Sequence, residues 1–347
     1  MSIDTSSGGH RASFLLLWAT LMGGLLVLGN PTVCQGVSAT QQPDAIVGSL
    51  RAAVAQHDVA RLMSLNRSLQ ALGTAALPAI EGEMGQATAG MRRALVGALR
   101  GIPGDRATRL LVNVFTQEAP VYLRHTTSND LSSQRYNGLL LVVLNVLRDR
   151  PVTEPVADSD LRNLISLVSD SSPAVAGDAA RVLSRCEGVS AGSRLAPVLT
   201  RLRNEVVSPS RAAESGYLPS EMILRAQLLV AISDIGTPAI SIIRPEMESC
   251  GADTELRQWL LLALGMAGDE ASQADLKALA TSEPNKYIRL FAVRAYSRAA
   301  RQHAVPFLET LLNDTTQSDL GDVRGKNRFL IRDEARTEIR RWQKVAR

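Results

Sequence analysis

The chain is poor in the residues that most often carry chemistry. Three cysteines and four histidines are scattered over 347 residues. No Cys-x-x-Cys or His-x-x-x-His pair occurs, so the common local spacings of a zinc or dithiol centre are missing. The phosphate-loop pattern G-x-x-x-x-G-K-[ST] is absent. Asp314, Asp319 and Asp322 lack the alternation of a calcium loop. Aromatic residues make up only 4% of the chain while hydrophobic residues make up 45%, so the apolar content is mostly Leu, Ala, Val and Ile. That disfavours an aromatic-rich β-sandwich and leaves little for stacking nucleic-acid bases. Beyond the N-terminus, apolar runs such as Trp259 to Leu264 are too short to span a bilayer. Metal, cofactor and nucleic acid are therefore not expected, and no catalytic residue is nominated.

What is present begins with an export-like start. Arg11 precedes an uncharged run over 12–29, Pro31 stops any helix, and Val37-Ser38-Ala39 offers small residues at the −3 and −1 sites. The reading is a signal peptide over 1–39, cleaved after Ala39, with an uncleaved membrane anchor as the rival. The remainder would be periplasmic or secreted. Net charge is +4, unevenly placed: residues 324–347 carry nine Lys/Arg against three Asp/Glu.

The body of the chain repeats. Arg225, Arg257 and Arg289 stand 32 residues apart, as do Ala231, Ala263 and Ala295. Related text surrounds Arg92 and Arg332, and "PAVAGDAARVLSR" from Pro173 keeps the frame with Ala176 in the arginine position. A period in the thirties on helical patterning signals stacked helix pairs. Prolines at 78, 238 and 306 stand near helix starts, and Gly73, Gly104, Gly188, Gly236 and Gly268 punctuate helix ends. The expectation is all-α: an α-α superhelix, a right-handed solenoid of about eight antiparallel pairs. First helices are expected near 44–55, 75–84, 104–117, 156–169, 191–205, 237–249, 270–281 and 301–313. Their partners are expected near 58–72, 89–101, 135–149, 173–186, 220–234, 254–267, 285–299 and 325–346. In such a stack the run Trp259–Leu264 has neighbours on most sides and should be core.

The φ-Arg-x-x-[Ala/Leu] helices, with endings such as "ALGMAGD" and "AISDIGTPAI", resemble the HEAT-repeat family in its short bacterial form, over most of 44–347. The resemblance implies an armadillo-type helical solenoid acting as a scaffold or adaptor for a protein or peptide partner. It also implies a ladder in which Glu221 and Asp253 pair with Arg225 and Arg257 at i, i+4. Some short HEAT-like proteins resemble lyases that mature a protein-bound cofactor, which gives an enzymatic alternative.

Two regions are candidates for binding. Three within-pair turns are expected to be long, at 118–134, 206–219 and 314–323, all on one edge. They would carry Tyr122, Arg124, His125, Arg211 and Tyr217, an interface-like set, unless they are mere surface insertions. On the last helix Arg328, Arg332, Arg336, Arg340 and Lys344 form a basic stripe. It reads either as the polar outside of a capping helix or as a site for an anionic surface at the membrane or cell envelope. Cys186 and Cys250 are expected at opposite edges of the stack, too far apart for a disulfide. Gly188-x-Ser190-x-Gly192 matches a nucleophile elbow, but it lies between helices, where Ser190 is better read as a cap.

Overall fold

A computed structural model describes residues 42–126, 133–209, 218–251, 254–318 and 329–345. The expected signal peptide over 1–39 and its expected cleavage after Ala39 lie outside them. Among the described residues the regular elements are all helices, and isolated bridges join Val152 with Cys186 and Gln317 with Phe329.

By their contacts the helices fall into two alternating sets, called first and second row. The first row holds α1 (Pro43–Ala55), α3 (Leu77–Met84), α5 (Asp105–Thr126), α7 (Asp158–Val168), α9 (Ala191–Val207), α11 (Ile240–Ser249), α13 (Gln273–Ser282) and α15 (Val305–Thr310). The second holds α2 (Val59–Leu72), α4 (Ala89–Leu99), α6 (Ser133–Leu147), α8 (Pro173–Ser184), α10 (Ser220–Ile235), α12 (Thr254–Met266), α14 (Lys286–Ala300) and α16 (Leu330–Val345). Short 3-10 turns at Gly73–Ala76, Thr237–Ala239, Glu270–Ser272 and Arg301–Ala304 lead into α3, α11, α13 and α15. Most boundaries fall within about three residues of the sequence expectation, as helix-end signals allow. The exceptions are those 3-10 turns, α5, which ends at Thr126 rather than near 117, and α16, which starts at Leu330 rather than near 325.

The helix starts have local causes. Asp58, Thr88 and Ser190 each accept a hydrogen bond from the backbone N–H three residues on, and Asn285 accepts from Tyr287 and Ile288. At the ends of α10 and α12, Gly236 and Gly268 take positive φ, which turns the chain back without a Cβ clash.

Packing follows the alternation. Every even helix packs on its pair mate and on the next even helix, from α2 on α4 through to α14 on α16. In the first row α1 packs on α3, α3 on α5, α5 on α7 and α7 on α9. The buried side chains form one continuous cluster from Ile46 to Ile339. Trp259, Leu262, Ala263 and Leu264 are fully enclosed, because α12 is contacted by α9, α10, α11, α13 and α14. The Trp259 ring tilts against Phe291 at 5.6 Å between centroids. Burying each such large apolar side chain is worth roughly 1.5–3 kcal/mol.

One expectation needs correcting. The segment from Glu118 is not a loop: α5 continues through it to Thr126, with Pro120 inside the helix. The reason is packing. Ala119 and Tyr122 are carried into the core, and burial outweighs the local cost of the proline. Likewise α9 runs on to Val207 with Val206 buried.

Candidate functional site

The nominated edge residues do not assemble as one exposed set. Tyr122 is 3% exposed, and its hydroxyl donates to Asp170 Oδ1 at 3.2 Å. Burial, and then the neighbouring carboxylate, push its phenol well above the usual value. Tyr122 is therefore a core residue of a helix rather than a loop residue. Arg124 is exposed and His125 half-buried, both in the last turn of α5. Arg211 and Tyr217 lie outside the described residues.

The basic stripe is partly neutralised where it begins. Arg328 lies outside the described residues. The Arg332 guanidinium stacks 3.9 Å from the Phe329 ring and touches Asp333, and Arg336 reaches the same carboxylate at 3.6 Å. Arg340 and Lys344 are exposed on the outer side. The opposite side of α16 is buried through Ile331, Ala335 and Ile339. It is pinned by polar contacts too: Arg294 forks onto Glu334 at 2.5 and 2.9 Å, and Ser297 donates to the buried Glu338 at 2.6 Å while accepting from the Trp342 indole at 2.7 Å.

The arginine ladder is built differently from the i, i+4 expectation. Arg225 donates to the Glu205 carbonyl at the end of α9 and to Glu255 on α12, at 3.0 Å. Arg289 does the same two periods later, on the Ala280 carbonyl of α13 and on Asp314, at 2.5 Å. Each caps the first helix of its own pair and reaches forward to an acid of the next pair. Arg257, between them, is exposed, and Asp253 is outside the described residues.

Sequence reading missed a second charged row, near the C-terminal ends of the second-row helices. Asp149 follows α6 and pairs with Arg181 of α8 at 3.1 Å. Arg181 and Arg185 converge on Asp234 of α10, with Arg185 forking onto it at 3.0 and 2.9 Å. Arg298 of α14 comes next in the electrostatic row, coupled to Asp234 on one side and to Glu338 and Arg341 of α16 on the other. Burial, then the nearby Arg341, lower the Arg298 pKa. Below the row, Arg148 donates to Asp178 at 2.6 Å, yet burial still raises the Asp178 carboxyl. The signal was available: the spacing of Arg185, Asp234, Arg298 and Arg341 matches that of Ala176, Arg225, Arg289 and Arg332. On α12 the register position is Met266, so the polar row is interrupted there.

Among the described residues no group of three His, Cys, Asp or Glu side chains is placed to hold a metal ion. Ser190 caps α9 through the Ser193 N–H. Cys186 and Cys250 are both free thiols. No single described helix is long and apolar enough to cross a membrane. Comparison with known proteins finds no family model and no curated protein that matches the chain.

Proposed function

We propose that the chain is an exported α-solenoid of the HEAT type that holds a protein or peptide partner against its second-row face and performs no chemistry. The observation that carries this reading is the half-open charged row from Asp149 to Arg341, whose members recur in step with the helix pairs. In a solenoid each pair adds a similar increment, so residues at one register become a linear surface. Such a surface, wide and shallow, suits an extended polypeptide better than a small substrate. Export rests on the 1–39 pattern alone.

Two measurements test the reading. Scattering from the mature chain should give a radius of gyration clearly above ~19 Å, the value for a compact body of about 300 residues. Affinity capture from an envelope extract should recover specific proteins, and Asp149→Lys with Arg298→Gln should lose them while the melt stays close to wild type. Equal recovery by that variant would overturn the second-row site.

For the basic stripe, the pairing of Arg332 and Arg336 with Asp333 favours a capping role over an envelope anchor. Deleting 324–347 should then lower stability rather than only change sedimentation with membranes. The enzymatic alternative is a lyase acting on a protein-bound cofactor.

A further inference from the structure

A cleft of about 500 Å³ is lined by the 3-10 turn at Glu270–Ser272, the start of α13, the end of α14, the 3-10 turn at Arg301–Ala304 and the last turns of α16. Its volume lies within the range of small-ligand sites, ~300–1,000 Å³. Part of the lining is apolar: Ala299 and Ala300 come from α14, Trp342 and Val345 from α16. The Trp342 indole N–H already donates to Ser297 Oγ at 2.7 Å, so the ring offers a ligand apolar surface and no donor. Val345 is 72% exposed, an aliphatic side chain left open to solvent.

Arg301 lines the same cleft and is exposed. Its side chain makes no hydrogen bond or ion pair with any described residue. Its backbone holds φ 54°, in the left-handed region. The turns that leave α2, α10 and α12 meet a positive φ with glycine, at Gly73, Gly236 and Gly268. Glycine takes that conformation without strain, and arginine does not. A cationic side chain kept at a strained position, beside a cleft and without a partner among the described residues, points to a partner from outside. The one acid among the described lining residues, Glu270, is exposed too. Its charge repels a dianion such as phosphate more than a singly charged group.

We propose that this cleft binds a monocarboxylate with an apolar body, the carboxylate held by the Arg301 guanidinium and the body lying against Trp342 and Val345. A guanidinium and a carboxylate match as a two-bond fork, which a lone aliphatic pocket cannot supply. Two sources carry that chemistry: a free organic acid, or the C-terminal residue of a polypeptide. The site stands apart from the charged second-row face and does not depend on it.

The test is a titration of the isotopically labelled chain, followed by the Trp342 indole resonance and the amides of 301–304. The carboxylate probes are 3-phenylpropionate and the peptide acetyl-Ala-Ala-Phe with a free C-terminus. Their neutral counterparts are 3-phenylpropionamide and the same peptide as its C-terminal amide, and acetate supplies a carboxylate without a body. The two carboxylate probes should shift these resonances with a Kd near the millimolar range, and the amides and acetate should bind at least about tenfold more weakly. Arg301→Gly removes the guanidinium and the backbone strain together, so the fold should persist while the carboxylates fall to the level of the amides. Arg301→Gln keeps the strained backbone and removes only the charge, and it should show the same loss. Val345→Ser, at an exposed position, should weaken the carboxylate probes severalfold. A peptide that binds tighter than 3-phenylpropionate assigns the site to a polypeptide C-terminus; equal or weaker binding assigns it to free acids. Equal binding of the amides, no shifts at ~50 mM ligand, or unchanged affinity in both Arg301 variants would overturn the proposal.

Discussion

Arg225 and Glu255 join consecutive helix pairs through one contact: Nη1 of Arg225 donates to Oε1 of Glu255 at 3.0 Å, while Nε and Nη2 hold the Glu205 carbonyl at the end of α9. The two partners are not equivalent. Arg225 is 3% exposed and lies over the Trp259 ring at 5.0 Å, whereas the Glu255 side chain is 52% exposed. Removing the arginine leaves a helix-end carbonyl without its donor and strips a cation from a buried ring. Arg225→Ala should therefore cost about 2–3 kcal/mol. Glu255→Gln removes only a solvated charge and should cost under about 1 kcal/mol. Urea unfolding of the two variants checks the order; equal losses would mean that the ion pair, and not the carbonyl cap, holds the pairs together.

Arg301 should be replaceable with benefit. It ends α14 at φ 54° and ψ −131°, almost the backbone that Gly73 adopts after α2 (58°, −135°) and close to that of Gly236 after α10 (76°, −151°). A side chain there is strained by about 1–3 kcal/mol. Glycine releases that strain but loosens the unfolded chain by about 0.4–1 kcal/mol. The net expectation for Arg301→Gly is a stabilisation on the order of 1 kcal/mol, read as a rise in the melting midpoint.

These two arginines also show what could be read from sequence and what could not. The period was legible because Arg225, Arg257 and Arg289 recur every 32 residues, one each on α10, α12 and α14, and the helix starts were legible because prolines and capping side chains act locally. The direction of the ladder was not, because Glu205, Glu255, Ala280 and Asp314 become neighbours of those arginines only after packing. Tyr122 was misplaced for a related reason: Pro120 reads as a stop, and nothing local says that Ala119 and Tyr122 will find a core to enter. Asp160 gave no signal of its burial: it looks like any acid in a first helical turn until packing encloses it.

Two glycines in helix interiors should respond in opposite directions to alanine. A Cβ on Gly265 would sit 2.5 Å from Leu276 Cδ1, 2.8 Å from Ala295 Cβ and 3.1 Å from the Ala295 carbonyl oxygen. Since α12 and α14 approach across that backbone, Gly265→Ala must push them apart. It should cost about 1–2 kcal/mol even after the helix-propensity gain. Gly48, exposed on α1, has nothing within 4 Å of its added Cβ. Gly48→Ala should stabilise by roughly 0.8–1 kcal/mol. A neutral Gly265→Ala in chemical unfolding would show that the second-row helices are not held at contact there.

The two thiols should separate by reactivity and by pH. Burial pushes Cys186 up to about 11, with nearby Arg194 only partly offsetting it, whereas Cys250 is half-buried at the end of α11. At pH 8 only about one Cys186 in a thousand would be thiolate, so alkylation should label Cys250 first and reach Cys186 only on unfolding. The linkage has a definite sign. The folded chain keeps the Cys186 proton to higher pH than the unfolded chain, whose thiol titrates near the ordinary value of 9.0. The contribution is fully present below pH ~9 and is lost as the pH rises from there to about 11, on the order of 2–3 kcal/mol in all. Cys186→Ala should flatten that segment of the stability profile relative to wild type. An unchanged slope between pH 9 and 11 would assign the alkaline loss to other groups.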